Sequence, residues 1–466
     1  MSSKSFRLEL AMSALALPLV ACGGGSSGGG NDTPPPTSAP PPPAPVPTPP
    51  PPSPPPPPPA PPPPSATVSY LHVFQRVPSD GGQPNGPLLQ ASDGNFYGTT
   101  RAGGANRCRD YDNMCGTVFR VTPGGAETVL YSFGASATDG NWPAGPLIQG
   151  SDGALYGLAS FGGAHGAGTL FRITLNGTYS TIYSFGAKPG DGAVPIGRVL
   201  QASDGNFYGA TSTGGTNHCN NIPTSGGNCG TIFRVTPDGA ETILHSFGAF
   251  PSDGSQPNGS LFQASDGNLY GTTVNGGANT CSNSNQTNSC GTVFRITPAG
   301  AETIIYSFGA SFTDGMAPQG PLIQGSDGAL YGTTGAGGGG RCGGDFGCGT
   351  VFRMTTAGSI SILHAFAIES RSDGYYPSPY LIQVRDGSFY GTTGSGGAYP
   401  ADLGGIVFRL TPSGLKTTLY SFGPLNEAPS NPQGGVIQAS DGAFYGVTNY
   451  NRSSDGFGTI FKLVVQ

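Results

Sequence analysis

Ser92-Asp93-Gly94-Asn95-Phe96-Tyr97-Gly98 is an Asp-Gly turn running into a short apolar strand, and it decides the fold because it recurs. Its counterparts place tyrosines at Tyr156, Tyr208, Tyr270, Tyr331, Tyr390 and Tyr445, so successive tyrosines are 59, 52, 62, 61, 59 and 55 residues apart. Two further signatures keep step with it. Gly116-Thr117-Val118-Phe119-Arg120 returns around Phe171, Phe233, Phe294, Phe352, Phe408 and Phe461. Leu130-Tyr131-Ser132-Phe133 returns at Phe185, Phe247, Phe308, Phe366 and Phe422, and its seventh copy, Leu71-His72-Val73-Phe74, precedes the first complete unit. Several short strands repeated at such a period are the signature of propeller blades.

One unit divides into four strands, over residues 87–91, 96–100, 116–122 and 127–133. Asp93-Gly94-Asn95 and Pro123-Gly124-Gly125 supply the positive φ that tight hairpins need. Val118 and Phe119 are adjacent, as are Val129, Leu130 and Tyr131, so both faces of each strand are partly apolar. A sheet with one wet face would alternate, whereas a blade packed between two neighbours buries both sides. The glycine after each tyrosine is expected to admit a neighbouring backbone near the axis. The chain finishes at 458–465 with a third strand lacking a fourth, and the array starts at 67–74 with a fourth strand lacking a blade. The two fragments make one blade. The fold class is therefore all-β, a seven-bladed β-propeller of four-stranded blades closed by pairing of its N- and C-terminal strands, which leaves no open sheet edge.

These motifs resemble those of the GloVer tandem-repeat proteins, a group of bacterial exported proteins, over residues 66–466. The Asp-Gly-x-(Phe/Leu)-Tyr-Gly turn is also similar to that of sensor-type propellers, with tyrosine in place of tryptophan. The GloVer resemblance implies a surface-exposed or periplasmic repeat domain and no particular reaction.

The segment before the array reads as an address. Lys4 and Arg7 precede an apolar run over 10–20, too short to span a bilayer, and Leu19-Val20-Ala21-Cys22 matches a lipobox. We expect a lipoprotein signal peptide over 1–22 with Cys22 lipidated, which anchors the protein to a membrane. A disordered Gly/Ser then Pro-rich stalk follows over 23–64, and the propeller occupies 65–466. Half of the 46 prolines lie between Pro34 and Pro64. Gly23 in place of aspartate favours the outer membrane, so the expected location is the bacterial cell envelope, facing the periplasm or the cell surface.

Charged residues are 10% of the chain and the net charge is −6, which excludes long charged helices and disfavours nucleic acid as a partner. A monomer is expected. Apart from Cys22, the cysteines fall as Cys108/Cys115, Cys219/Cys229, Cys281/Cys290 and Cys342/Cys348, each pair between a second and a third strand. Three units lack both members. Loss in twos points to four local disulfides in an oxidising compartment. Zinc held by two Cys pairs is the competing reading, but the spacings differ and no histidine recurs beside them.

Second-to-third loops vary in length and fourth-to-first loops in sequence, and in a propeller both lie on one face, where binding is expected. That face carries Asp80, Asp139, Asp191, Asp253, Asp314 and Asp373, with Ser430-Asn431 in the seventh unit. Six carboxylates would suit calcium or a cationic ligand. The competing reading makes each a turn-capping aspartate. Aromatics outside the repeat register, Tyr111, Trp142, Phe161, Phe250, Phe312, Tyr375, Tyr376 and Tyr399, offer rings for stacking on sugars or anchoring a protein.

His72, His245 and His364 occupy the tyrosine position of the third signature. Glu127, Glu241 and Glu302, and the basic residues from Arg120 to Lys462, read as strand-surface pairs. Seven glutamines from Gln90 to Gln438 are expected to bond between blades. No nucleophile, acid and base stand out as a catalytic set, and Arg198, replacing the usual proline near His218, is the single irregularity. We expect a lipid-anchored module, without cofactor, that binds extracellular glycan or envelope protein through its loop face. The alternative is an envelope polysaccharide lyase or hydrolase with its site in the central depression.

Overall fold

The structure, a computed structural model, describes residues 66–75, 80–108, 115–219, 229–250, 252–258, 260–283, 286–340, 342, 347–367, 371–398, 404–423, 429–450 and 457–466. The expected signal segment, Cys22 and the stalk lie outside these, as do Tyr111 and Tyr399.

Seven antiparallel sheets, each built from one sequence repeat, form a seven-bladed β-propeller. Blade 1 runs from an innermost strand, Gly81–Pro84 continued by Leu89–Gln90, through Phe96–Gly103 and Thr117–Val121 to Glu127–Ser132 at the rim. Blades 3 and 5 keep the inner strand continuous, as Gly192–Gln201 and Gly315–Gln324. A small ribbon, Thr280–Asn283 with Gln286–Ser289, decorates one loop of blade 4. Blade 7 is completed as its two fragments predict. Ala66–Val73 pairs antiparallel with Thr459–Val465, from Ala66↔Val465 to Val73↔Thr459.

The three signatures become intelligible as contacts. Every third-to-fourth pairing carries a bulge at one place; in blade 1 Val118 faces Tyr131 while Phe119 faces Val129, so Leu130 is the extra residue. The phenylalanine ending each fourth strand packs edge-on against the third-strand phenylalanine of the next blade, as in Phe133–Phe171 at 5.2 Å between centroids. The seam blade keeps this contact on both sides, with Phe74–Phe119 at 5.3 Å and Phe422–Phe461 at 5.1 Å. In six blades the repeat tyrosine donates to its own turn aspartate, as Tyr97 Oη to Asp93 Oδ2 at 2.7 Å, and Tyr445 stacks on Phe96 of the neighbouring blade. The glutamines do bond between blades. Gln149 Oε1 accepts from Ser92 N at 2.9 Å, and Gln90 Oε1 accepts from Ser440 N at 2.8 Å across the seam.

Two expectations need correction. A Cβ on Gly98 would lie 2.5 Å from Cζ of Phe119, so this glycine makes room for a ring of its own blade rather than for a neighbouring backbone. The register glutamates and basic residues are not partners of one another. Arg172, Arg353, Arg409 and Lys462 reach the turn aspartates Asp152, Asp327, Asp386 and Asp441 of their own blades.

The candidate site is a cavity on the propeller axis

Each inner strand opens with a turn followed by a proline, at Pro84, Pro143, Pro195, Pro257, Pro318, Pro377 and Pro432. The residue before each proline is left-handed. Gln83, Trp142, Val194, Gln256, Ala317, Tyr376 and Asn431 have φ between 50° and 60°, although none is glycine. Such a conformation costs on the order of 1–3 kcal/mol per residue and needs outside support. The preceding blade provides it. Trp142 N donates to Cys115 O at 2.9 Å, Gln83 N to Phe457 O at 2.8 Å, and the other five make the equivalent bond. The proline ring then covers the glycine that opens the preceding third strand; a Cβ on Gly116 would lie 2.6 Å from Pro143 Cδ.

The four cysteine pairs, Cys108–Cys115, Cys219–Cys229, Cys281–Cys290 and Cys342–Cys348, are disulfides. Each closes the loop whose last residue supplies one of these carbonyls, so four of the seven left-handed residues hang from a disulfide-closed loop.

All seven blades contribute to an axial cavity of about 570 Å³ at the loop end of the ring. Six amide side chains line it, from Gln83, Asn85, Asn258, Gln319, Gln433 and Asn449, with the rings of Trp142, Phe161, Tyr380 and Tyr450. Trp142 and Phe161 lie 5.5 Å apart between centroids. Arg101 is the one charged side chain among the lining residues, and no carboxylate is among them. The Arg101 side chain is exposed toward the cavity that protein encloses. Burial lowers its pKa, and the Tyr380 phenol acts against that. Burial pushes Tyr380 up to about 12, with Arg198 and Arg101 pulling the other way. Arg198 stands at the inner-strand position that is Pro87 or Pro146 in blades 1 and 2, and burial lowers its pKa also. Its Nε has no hydrogen-bond partner. The sequence irregularity at Arg198 thus belongs to a symmetry-breaking group near the axis, with Arg101 and Tyr380.

The six aspartates lie elsewhere. Five are buried beneath their own fourth-to-first loops, Asp373 is half-buried, and none lines the cavity. Asp139 Oδ2 accepts from Tyr131 Oη at 2.9 Å and from Ala135 N at 3.1 Å; Asp191 and Asp314 repeat the arrangement with Tyr183 and Tyr306. In the remaining three a histidine replaces the tyrosine, as in His72–Asp80 at 3.2 Å. Burial raises the pKa of Asp139 against the pull of these bonds. Of the aromatics, Trp142 and Phe161 reach the cavity, while Tyr376, Phe250 and Phe312 are exposed outside it. Tyr375 is 5% exposed and packed in the core, so its ring is not presented to a ligand. Sequence reading missed the amide lining and the left-handed ring; the usable signal was the proline at a fixed distance after each Asp-Gly turn.

No curated protein sequence matches the chain. Among solved structures, a protein of unknown function from Dyadobacter fermentans is 10% identical, with a TM-score of 0.46 over 86% of this chain and 99% of that one. The periplasmic gluconolactonase of Pseudomonas aeruginosa is 15% identical, TM-score 0.41, over 74% and 85%. An arabinofuranosidase of Fusarium graminearum, solved with arabinobiose, is 12% identical, TM-score 0.44, over 76% and 97%. At these values the likenesses carry no argument about activity. The repeats themselves are diagnostic: matching the Gloeobacter/Verrucomicrobia repeat over residues 62–224, 220–344 and 279–466, the chain belongs to that family.

Proposed function

We propose that the protein is a lipid-anchored recognition module of the bacterial envelope that binds a glycan end in the axial cavity, without catalysing a reaction. The observation that carries this is the lining: six amides, a wall of two mutually tilted rings from Trp142 and Phe161, and one cation. Amides donate and accept, which suits sugar hydroxyls, and rings present flat apolar faces to the pyranose. Glycoside hydrolysis generally uses two carboxyl groups flanking the bond, and the described lining offers none. The enzyme alternative draws on Arg101, Arg198 and Tyr380, the group that breaks the sevenfold pattern. A phenol pushed up to about 12 makes a poor base near neutrality.

The anchor would be Cys22, and a polyproline segment at about 3.1 Å per residue would give reach. Within the ring, Ala66 enters beside Val465, at the end that carries the short turns and away from the cavity. This arrangement favours a cavity facing away from the membrane.

Trp142 is the sole tryptophan, so its fluorescence reports the cavity directly. Glycans retained from an array should shift that emission, and Trp142→Ala should weaken their binding by about 1–2 kcal/mol with the fold unchanged. Turnover of a retained glycan, lost on Tyr380→Phe, would replace this reading with the enzyme one.

A further inference from the structure

The repeat offers an internal comparison at the rim. Between successive blades, the Tyr/His of the third signature, the loop aspartate and the first residue of the next blade's fourth strand come together. Where tyrosine holds the aspartate, as in Tyr131–Asp139, the third residue is Tyr179, whose ring stacks on Tyr131 at 4.1 Å. Two interfaces instead place a carboxylate against a His–Asp pair. His72, Asp80 and Glu127 each present a ligand atom within 4.8 Å of the others, and so do His245, Asp253 and Glu302.

These carboxylates are not satisfied by the protein. Glu127 Oε1 and Glu302 Oε1 are buried with no hydrogen-bond partner, and so is His245 Nε2. The latter lies 3.4 Å from Asp253 Oδ2 but outside hydrogen-bond geometry, and the Asp253 side chain is fully buried. A buried carboxylate normally has a countercharge. The same fold supplies one at two other interfaces. Lys416 replaces the glutamate beside His364 and Asp373, with Nζ 2.7 Å from Asp373 Oδ1. Lys188 Nζ lies 2.7 Å from Glu241 Oε2, next to Asp191. A cation therefore belongs at this position of the repeat.

We propose that His72/Asp80/Glu127 and His245/Asp253/Glu302 are two divalent transition-metal sites of the zinc class, bridging blades 7 and 1 and blades 3 and 4. One imidazole and two carboxylates are zinc ligands, and three protein donors leave a fourth position for water. Bonds of about 2.0–2.2 Å at tetrahedral angles separate ligand atoms by roughly 3.3–3.6 Å. The His245–Asp253 separation of 3.4 Å falls within that range, and the hydrogen-bonded His72–Asp80 pair, at 3.2 Å, lies just below it. The role is structural. The first site ties the closing strand to blade 1 across the seam, because His72 belongs to Ala66–Val73 and Glu127 to Glu127–Ser132.

The test uses untagged full-length protein, stripped with chelator and titrated with zinc chloride by calorimetry, with cobalt(II) as the spectroscopic probe. Two ions per chain are expected, with a cobalt d–d band of nitrogen–oxygen coordination and a higher unfolding midpoint in the metal-loaded protein. Glu127→Gln and Glu302→Gln should each remove one ion, and the double variant both, while His364→Ala at the lysine-filled interface should leave two. The melting curve of each metal-free variant shows that it is folded. Any other stoichiometry, or binding retained in the double variant, overturns the proposal.

Discussion

The buried Thr169 hydroxyl lacks the threonine partner that its counterparts in other blades have, and the neighbouring residues explain why. In five blades a second-strand threonine meets a third-strand threonine, as Thr100–Thr117 at 2.7 Å and Thr448–Thr459 at 2.7 Å, but in blade 2 the second-strand residue is Ala159. Gly140 keeps open the space that Gly81 leaves for Thr100. Ala159→Thr should therefore add a buried hydrogen bond and stabilise the protein by about 1 kcal/mol, seen as a higher unfolding midpoint. A lower midpoint would show that blade 2 has closed over the gap. The threonine pattern could be read directly from aligned repeats. The left-handed residues could not. Gln83, Trp142 and Val194 share no side-chain property, and their conformation is imposed by a carbonyl of the preceding blade, which no local reading contains.

Turns and loops divide the labour between the two ends of each blade. At the short-turn end, Asp93, Asp152, Asp204, Asp266, Asp327, Asp386 and Asp441 all sit below the usual aspartate range. Burial raises each, but hydrogen bonds outweigh it, such as those from Arg353 and Tyr331 to Asp327. A carboxyl depressed by folding stabilises the native state above its unfolded value and loses that contribution as the pH falls through the folded value. Urea midpoints should thus decline as the pH drops from about 5 through and below the ordinary aspartate value near 3.8, and Asp327→Asn should make the decline shallower. At the loop end, Cys115 O holds Trp142 N. Replacing Cys108 and Cys115 by serine should leave the blades intact, yet broaden the Trp142 environment and weaken glycan retention, read by fluorescence and array. Unchanged emission and retention would show that the loop holds its carbonyl without the bridge. Cysteine pairing was legible because the residues vanish in twos; its link to the cavity was not, because the bond crosses to the next repeat.

The ring as a whole is closed by one strand. Deleting residues 66–73 removes the partner of Thr459–Val465 and bares an edge, so we expect aggregation and a steep drop in the unfolding midpoint. A soluble deletion variant with an unchanged midpoint would mean that blade 7 does not need its fourth strand. Closure could be read in the sequence because the two incomplete ends add to one blade. The axial chemistry could not, since Arg101, Arg198 and Tyr380 meet only after blades 1, 3 and 6 are brought around a common centre. The antiparallel register at the seam also has a mechanical meaning. Tension applied at the Ala66 end, and resisted by a ligand held at the opposite face, runs along the strand rather than across it. The rungs from Ala66↔Val465 to Val73↔Thr459 then bear the load together in shear, instead of opening one at a time like a zip. A tether leaving from that end would make the propeller a clasp whose weakest joint is loaded in its strongest direction.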